Sequence, residues 1–331
     1  MQIQPVYSQK GAKPLVSFIV TYYNEPIEML QQCIESIVAL SLSPDEREII
    51  LIDDGSDMSP LDSIVQYREQ IIYIRQPNKG LSMARNMGIT VATGQYLQFV
   101  DADDYFLQNA YEHTLDLVRY HNPDVVIFSS TGSPMTDTPF VLPTPISGTE
   151  YLLHNNLRAA VWSYVFRSNL LIGLKFAPEL KAYCEDEQFT PQLILRAERV
   201  FVTEDKAYFY RKRKESIIHR TDNASCHYRL DNMQYVIHSL YRLSQSLPRL
   251  ERLALERRVH QLTMDYIYNI IRLTRSRHEL KVRLDSLAAE GLFPLPEKNY
   301  TKKYKWFARL ANSRIGRQLL FITILVSKKE S

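Results

Sequence analysis

The chain predicts an α/β fold: a mostly parallel sheet flanked by helices, followed by an α-helical C-terminal appendage. Three observations carry that expectation. Short apolar runs at residues 16–20, 48–52, 71–74, 96–100 and 125–128 alternate with amphipathic stretches. An unbroken apolar run of that length suits a strand buried on both faces of a parallel sheet. Polar and acidic residues gather where these runs end: Thr21-Tyr22-Tyr23-Asn24-Glu25, Asp53-Asp54-Gly55-Ser56 and Asp101-Ala102-Asp103-Asp104. Sheets of this kind bind ligands at the carboxyl ends of their strands.

The first helix follows from Ile27, Leu30, Ile34, Ile37 and Val38, which recur at helical spacing. Asn24 is expected to cap it, with Pro26 in its first turn. A second helix is expected over 81–92, and another precedes the strand at 125–128. Proline and threonine crowd residues 133–145, which predicts a surface loop. Beyond it come helices over 148–156 and 185–195 and short strands at 200–203 and 207–210. After His227, Val259, Leu262, Tyr266, Ile270 and Leu273 keep helical spacing. The expected division is a flexible arm at 1–13, an α/β domain at 14–222 with halves at 14–130 and 131–222, and helices over 223–331.

Composition excludes several classes. With 331 residues, 45% hydrophobic and 23% charged, the chain is neither disordered nor collagen-like nor a disulfide scaffold. Lysine and arginine number 40 against 37 acidic residues, so no global charge calls for nucleic acid. Cys33, Cys184 and Cys226 are three in number, widely spaced and without zinc spacing, which fits a reduced, cytoplasmic setting. No apolar leader opens the chain, so export is not expected. The longest aliphatic run, 319–326, falls far short of the ~20 residues needed to span a bilayer.

Asp101 and Asp103 form a D-x-D at a strand end. Two such carboxylates can converge on one hard cation, Mg²⁺ or Mn²⁺, whose shell substrate phosphates complete. Alone, the same pattern is as well a solvated Asx-turn. Its neighbours decide the matter. Residues 16–24, the run Glu48 to Asp57, Asn78-Lys79-Gly80 with Ala84-Arg85-Asn86 and Gly88, and Phe99 to Asp104 occur in an order that resembles the family 2 glycosyltransferases. The resemblance covers about 14–220, with Thr21 where proline is commoner.

This resemblance implies a GT-A-like fold and an inverting enzyme that uses a nucleotide-diphosphate sugar donor, uridine-linked. By it, Asp103 is the metal ligand, and Asp101 reaches the metal through water or the ribose. Asp54 faces the base edge, Thr21 and Tyr23 flank the base, and Glu25 lies at the ribose or base. Asp53, by contrast, is expected to cap a turn. Gly80 permits a close backbone approach. Asn78 belongs to the same donor loop, and Arg85 either clamps phosphate or pairs with an aspartate of the D-x-D. Cys184-Glu185-Asp186-Glu187 resembles the family's Glu-Asp motif. It makes Asp186 the general base that takes the acceptor hydroxyl proton and puts Glu185 against acceptor or donor sugar.

Two segments match less well. Residues 160–167 hold Ser163 and Tyr164 where the family has Asn and Lys, and Trp162 lines either the sugar cleft or the core. Residues 210–220 resemble a loop that closes over the diphosphate. There His219 contacts metal or phosphate, and Arg211, Arg213 and Arg220 form a basic patch. Residues 301–331 are basic with interleaved apolar side chains, and so either pack on the preceding helices or lie on an anionic membrane. The expected function is metal-dependent (Mn²⁺ or Mg²⁺) sugar transfer to a saccharide or lipid-linked acceptor in surface polysaccharide synthesis, with no nucleic-acid partner. The rivals are a nucleotidyltransferase, whose glycine-rich first loop is lacking here, and a non-catalytic assembly partner.

Overall fold

The computed structural model describes residues 13–134, 140–212 and 222–326. The chain forms two compact units, one of residues 1–148 and 159–213, the other of 149–158 and 214–331. Residues 149–158, expected within the α/β domain, thus group with the helices.

In the first unit, β1 (Val16–Tyr22), α1 (Ile27–Val38), β2 (Arg47–Asp53), β3 (Ile71–Arg75), α2 (Leu81–Val91) and β4 (Tyr96–Asp101) alternate as expected. Then come β5 (Tyr105–Phe106), α3 (Gln108–Tyr120), β6 (Val125–Thr131), β7 (Tyr164–Arg167), α5 (Glu185–Leu195) and β8 (Val200–Phe209), while α4 (Gly148–His154), between β6 and β7, falls almost wholly in the second unit. Among the described residues these make one eight-stranded sheet in the order β3-β2-β1-β4-β7-β6-β8-β5. All seven residues of β1 are buried. Each fully buried Ile, Leu or Phe side chain contributes about 1.5–3 kcal/mol. β1 pairs in parallel with β2 and β4, and the register sets Thr21 beside both Ile52 and Asp101. Three strand ends therefore finish level, which brings their polar loops onto one edge.

The sheet is more mixed than expected. β7 runs antiparallel to both β4 and β6, and β5 is antiparallel to β8. An apolar run reports burial but not strand direction, so this part was not readable. The two short strands expected at 200–203 and 207–210 are one continuous β8, with register shifts against β6 near Ser129. Its polar middle alternates, with Glu204 and Lys206 outward and Asp205 inward, and so reads as a break. At α1 the cap is Pro26, and Asn24 takes a left-handed conformation with φ 59°. Asn24 instead ties two strand-end loops, exchanging hydrogen bonds with Asp57 and donating its backbone N–H to Ser56 Oγ.

Besides α4, the second unit contains α6 (Asn223–Gln245), α7 (Arg249–Thr274), α8 (Arg277–Ala289), α9 (Lys302–Asn312) and α10 (Arg314–Val326). Asp222, Ser276 and Thr301 cap α6, α8 and α9 by accepting backbone N–H groups, as short polar side chains do. Buried Arg283 binds Asp231, Glu279 and the Tyr266 hydroxyl. Among the described residues no helix is long and apolar enough to cross a membrane.

α2, which carries Arg85, sits close on β1 because Gly88 lacks a side chain. A Cβ there would lie 2.2 Å from Ile19 Cγ2. Gly88→Ala is therefore expected to lower stability by about 1–3 kcal/mol through overpacking. Gly132→Ala, with nothing within 4 Å of its added Cβ, is expected to leave the urea midpoint unchanged.

Candidate active site

The level ends of β1, β2 and β4 set up the site, and α2 and α5 complete it. Cys184 precedes α5 in a left-handed conformation, φ 68°, uncommon for a residue with a side chain. The helix begins at Glu185, so Glu185 and Asp186 both stand in its first turn, where the positive end of the helix dipole favours carboxylates.

Arg85 joins these elements. It is 2% exposed. Its Nη1 donates to Glu185 Oε1 at 3.0 Å and to Asp186 Oδ1 at 2.6 Å, and its Nη2 donates to Asp101 Oδ1 at 3.2 Å. The guanidinium lies over the Phe176 and Phe99 rings at 5.4 and 5.9 Å. Of the two readings the sequence left open, the structure has Arg85 paired with an aspartate of the D-x-D, and also with the Glu-Asp pair. One positive charge thus faces three carboxylates.

Electrostatics follow from that imbalance. Burial pushes the Asp101 carboxyl up to about 6, opposed by Arg85 and reinforced by Asp103 and Asp186. Burial likewise raises Glu185 and Asp186 against the pull of Arg85. Asp186 Oδ2 also accepts the Val161 N–H at 3.0 Å, and its side chain keeps 20% exposure. A carboxylate has about four lone-pair positions, so Asp186 retains room for a further hydrogen bond.

A divalent cation fits the end of β4. Asp101 and Asp103 are hard oxygen donors two residues apart, in a cluster with more negative than positive groups. Among the described residues no group of three or more His, Cys, Asp or Glu is placed to hold a metal. Further ligands therefore have to come from a bound diphosphate or from elsewhere in the chain, and His219, with Arg213 and Arg220, lies outside the described residues.

The remaining donor-side positions divide between structure and surface. Asp53 caps its turn by accepting Ser56 N–H at 2.8 Å, and it accepts the Tyr73 hydroxyl at 2.8 Å. Asp54 is buried and accepts from Gln76 Nε2, Lys79 N–H and Gly80 N–H at 2.7, 3.0 and 2.8 Å. It thereby shapes the Asn78–Gly80 loop. Gly80 has φ 88°, and a Cβ there would meet Lys181 O at 2.8 Å; the close approach it permits is to protein backbone. Thr21 is buried, Tyr23 is 47% exposed, and Asn78 is exposed. Glu25 turns back to accept the Tyr23 N–H at 2.6 Å.

Trp162 is 8% exposed and lies flat on Tyr208, centroids 4.5 Å apart, with Tyr210 5.9 Å away. The ring this stack offers to solvent is Tyr210, which the sequence did not single out. Tyr208 connects the stack to the D-x-D by accepting the Asp101 N–H at 3.1 Å. The alternation of Tyr208 and Tyr210 was the signal that could have found them. Arg211 places its guanidinium over Tyr105 at 5.1 Å and donates to Gln32, while its backbone N–H donates to Asp104 Oδ1 at 2.8 Å. A cavity of about 400 Å³ lies here, lined by Met29, Gly132, Phe209, Tyr210, Arg211 and Lys212.

Removing Arg85 strands its carboxylates, so Arg85→Ala is expected to cost about 3–5 kcal/mol in a denaturant melt. Arg85→Lys is expected to recover only part, since an ammonium cannot reproduce the planar fork. Asp104, also overlooked, is 1% exposed, and its Oδ2 has no hydrogen-bond partner among the described residues. Burial, then Asp101, pushes its carboxyl up to about 8. The folded form therefore keeps a proton that the unfolded chain releases near pH 4, and stability is lost as pH rises from about 4 to 8. Asp104→Asn is expected to flatten that decline, gaining roughly 1–3 kcal/mol at pH 8 and little at pH 4.

With this geometry in view, the chain can be set beside known proteins. Residues 17–172 match the model described as Glycosyl transferase family 2. EpsJ of Bacillus subtilis (strain 168), a glycosyltransferase by name, is 32% identical over 221 residues, which are 62% of this chain and 63% of EpsJ. The chain thus spans just under two thirds of that relative. The crystal structure of Staphylococcus aureus TarS 1–349 in complex with UDP-GlcNAc superposes with a TM-score of 0.63 at 21% identity, covering 96% of this chain and 92% of that one. The mannosyltransferase PcManGT from Pyrobaculum calidifontis, in complex with GDP-Man and Mn²⁺, gives a TM-score of 0.55 at 16% identity over 98% and 88%. Such distant structural matches show a shared fold, here GT-A. Sequence motifs, sheet and family match agree: the chain carries a glycosyltransferase family 2 domain.

Proposed function

We propose that this chain is an inverting glycosyltransferase that moves a sugar from a uridine diphosphate-linked donor to a saccharide or lipid-linked acceptor. The observation that carries the proposal is the meeting, on buried Arg85, of Asp101 from the end of β4 with Glu185 and Asp186 from the start of α5. Such a meeting supports a reading in which a donor-side D-x-D and a base share one rim.

Asp186 is the general base. Arg85 and the Val161 N–H hold it, and its raised proton affinity suits it to take the proton that the acceptor hydroxyl loses as it attacks the anomeric carbon. Glu185 lies beside it toward the transferring sugar. On the donor side Thr21 and Tyr23 flank the base, with Glu25 and Asn78 at its edges. Asp54 has an oxygen with a single protein donor and so keeps acceptor capacity for an imide N–H. Asp103 with Asp101, and His219, would hold Mn²⁺ or Mg²⁺; such a cation supplies electrostatic stabilisation to a departing diphosphate. Arg211 lends positive charge nearby. Trp162 backs the sugar cleft, with Tyr210 as its exposed wall.

The relatives support the substrate class. TarS of Staphylococcus aureus is named a poly(ribitol-phosphate) β-N-acetylglucosaminyltransferase and is 26% identical over 206 residues. TarS 1–349 has been crystallised in complex with UDP-GlcNAc. We propose that the saccharide or lipid-linked acceptor belongs to the synthesis of a cell-surface polymer on the cytoplasmic side.

A donor-panel turnover assay with Mn²⁺ tests the scheme. Asp186→Asn is expected to lower kcat by about 10²–10⁴-fold while UDP affinity stays close to wild type. Asp103→Ala is expected to weaken Mn²⁺-dependent UDP binding about tenfold or more in calorimetry. Normal turnover by the Asp186 variant would remove the base assignment, and absence of any nucleotide binding would favour the assembly-partner rival.

A further inference from the structure

We propose that the outer faces of α9 and α10 form a docking surface for an anionic lipid bilayer. Both helices are seated on the protein through one side: Tyr304, Phe307, Ala308 and Ala311 of α9, and Gly316, Leu320, Phe321 and Ile324 of α10. Asn312 pins the end of α9 by donating to Leu295 O at 2.7 Å and accepting the Leu295 N–H at 2.9 Å. The packing that the sequence suggested is therefore present, and it leaves an unexpected remainder.

On α10 that remainder is Ile315, Leu319, Ile322 and Val326. Spaced by four, three and four residues at 100° per residue, they fall in one narrow stripe directly opposite the buried side. They are 79, 51, 53 and 61% exposed. A terminal helix ordinarily turns polar residues outward, and this one turns aliphatic ones. On α9 the outward position is Trp306, 65% exposed, with Lys302 one turn before it and Arg309 one turn after. An indole between basic side chains, beside an aliphatic stripe, suits the headgroup boundary of a bilayer.

Charge selects the occupant. From Thr301 to Val326 there is no acidic residue, while Lys302, Lys303, Lys305, Arg309, Arg314 and Arg317 are basic. The ion pair made by this stretch among the described residues is a long one, Lys303 to Asp265 at 3.9 Å. A second copy docking symmetrically would set this basic face against itself. Nucleic acid would accept the charge and leave the aliphatic stripe without a partner. An anionic bilayer satisfies both, and each basic residue near such a surface strengthens binding by about fivefold.

The test is co-sedimentation of the full chain with vesicles of phosphatidylcholine alone or mixed with phosphatidylglycerol. Binding is expected to be about tenfold or more tighter to the mixed vesicles and to weaken as salt rises. Trp306 emission should shift to the blue on binding, a change absent from Trp306→Phe. The double variant Leu319→Glu/Ile322→Glu, whose sites are exposed, should melt like wild type and lose binding about tenfold. No preference for anionic vesicles, or binding unchanged in the double variant, overturns the proposal. So does self-association that the variant abolishes without any vesicle binding. The assay holds no sugar donor, so its failure leaves the transferase reading standing, and failure of that reading leaves this one.

Discussion

A single buried arginine organises the candidate site of this molecule. Arg85 brings one positive charge to carboxylates from the end of β4 and the start of α5. A guanidinium can do this because its donors point in fixed directions, so one group serves three partners without moving. The cost of burying the charge is offset by that pairing and by two aromatic rings. The two chain halves that would handle donor and acceptor are thereby joined through their reactive groups.

The imbalance around Arg85 is what the proposed function draws on. A structural ion pair tends toward neutrality, whereas here the carboxylates exceed the cations and hold their protons more tightly than usual. Such a cluster is completed by positive charge arriving with a substrate, or by proton transfer. Both belong to the chemistry proposed for the site. The aromatic stack reaches the same place from the other direction, since Tyr208 touches the Asp101 amide and Tyr210 meets solvent.

Residues resembling donor contacts divide into two kinds on inspection of their partners. Asp53 caps its turn, as the sequence suggested, and is further engaged by Tyr73 and Arg75. Asp54 shapes the loop through Gly80, so whatever it offers a nucleotide comes from an oxygen already in a hydrogen-bond network. Their adjacent positions in sequence hide this difference, which arises because successive residues at a strand end point to opposite faces.

The fold class, the strands β1 to β4 and β6, and the helices α2 and α5 were legible from the chain alone. Buried parallel strands and helix periodicity are local patterns, and short motifs keep their spacing. Strand direction at β7, continuity of β8 and the left-handed turn at Asn24 were not legible, because each depends on a partner far away in sequence. The same holds for Arg85: its helix was predictable, but its choice between phosphate and carboxylate was not, since that depends on where α5 comes to rest. Local sequence determined which groups were available, and tertiary packing decided which of them meet, because ion pairing falls off within a few ångströms and only the folded chain sets such distances.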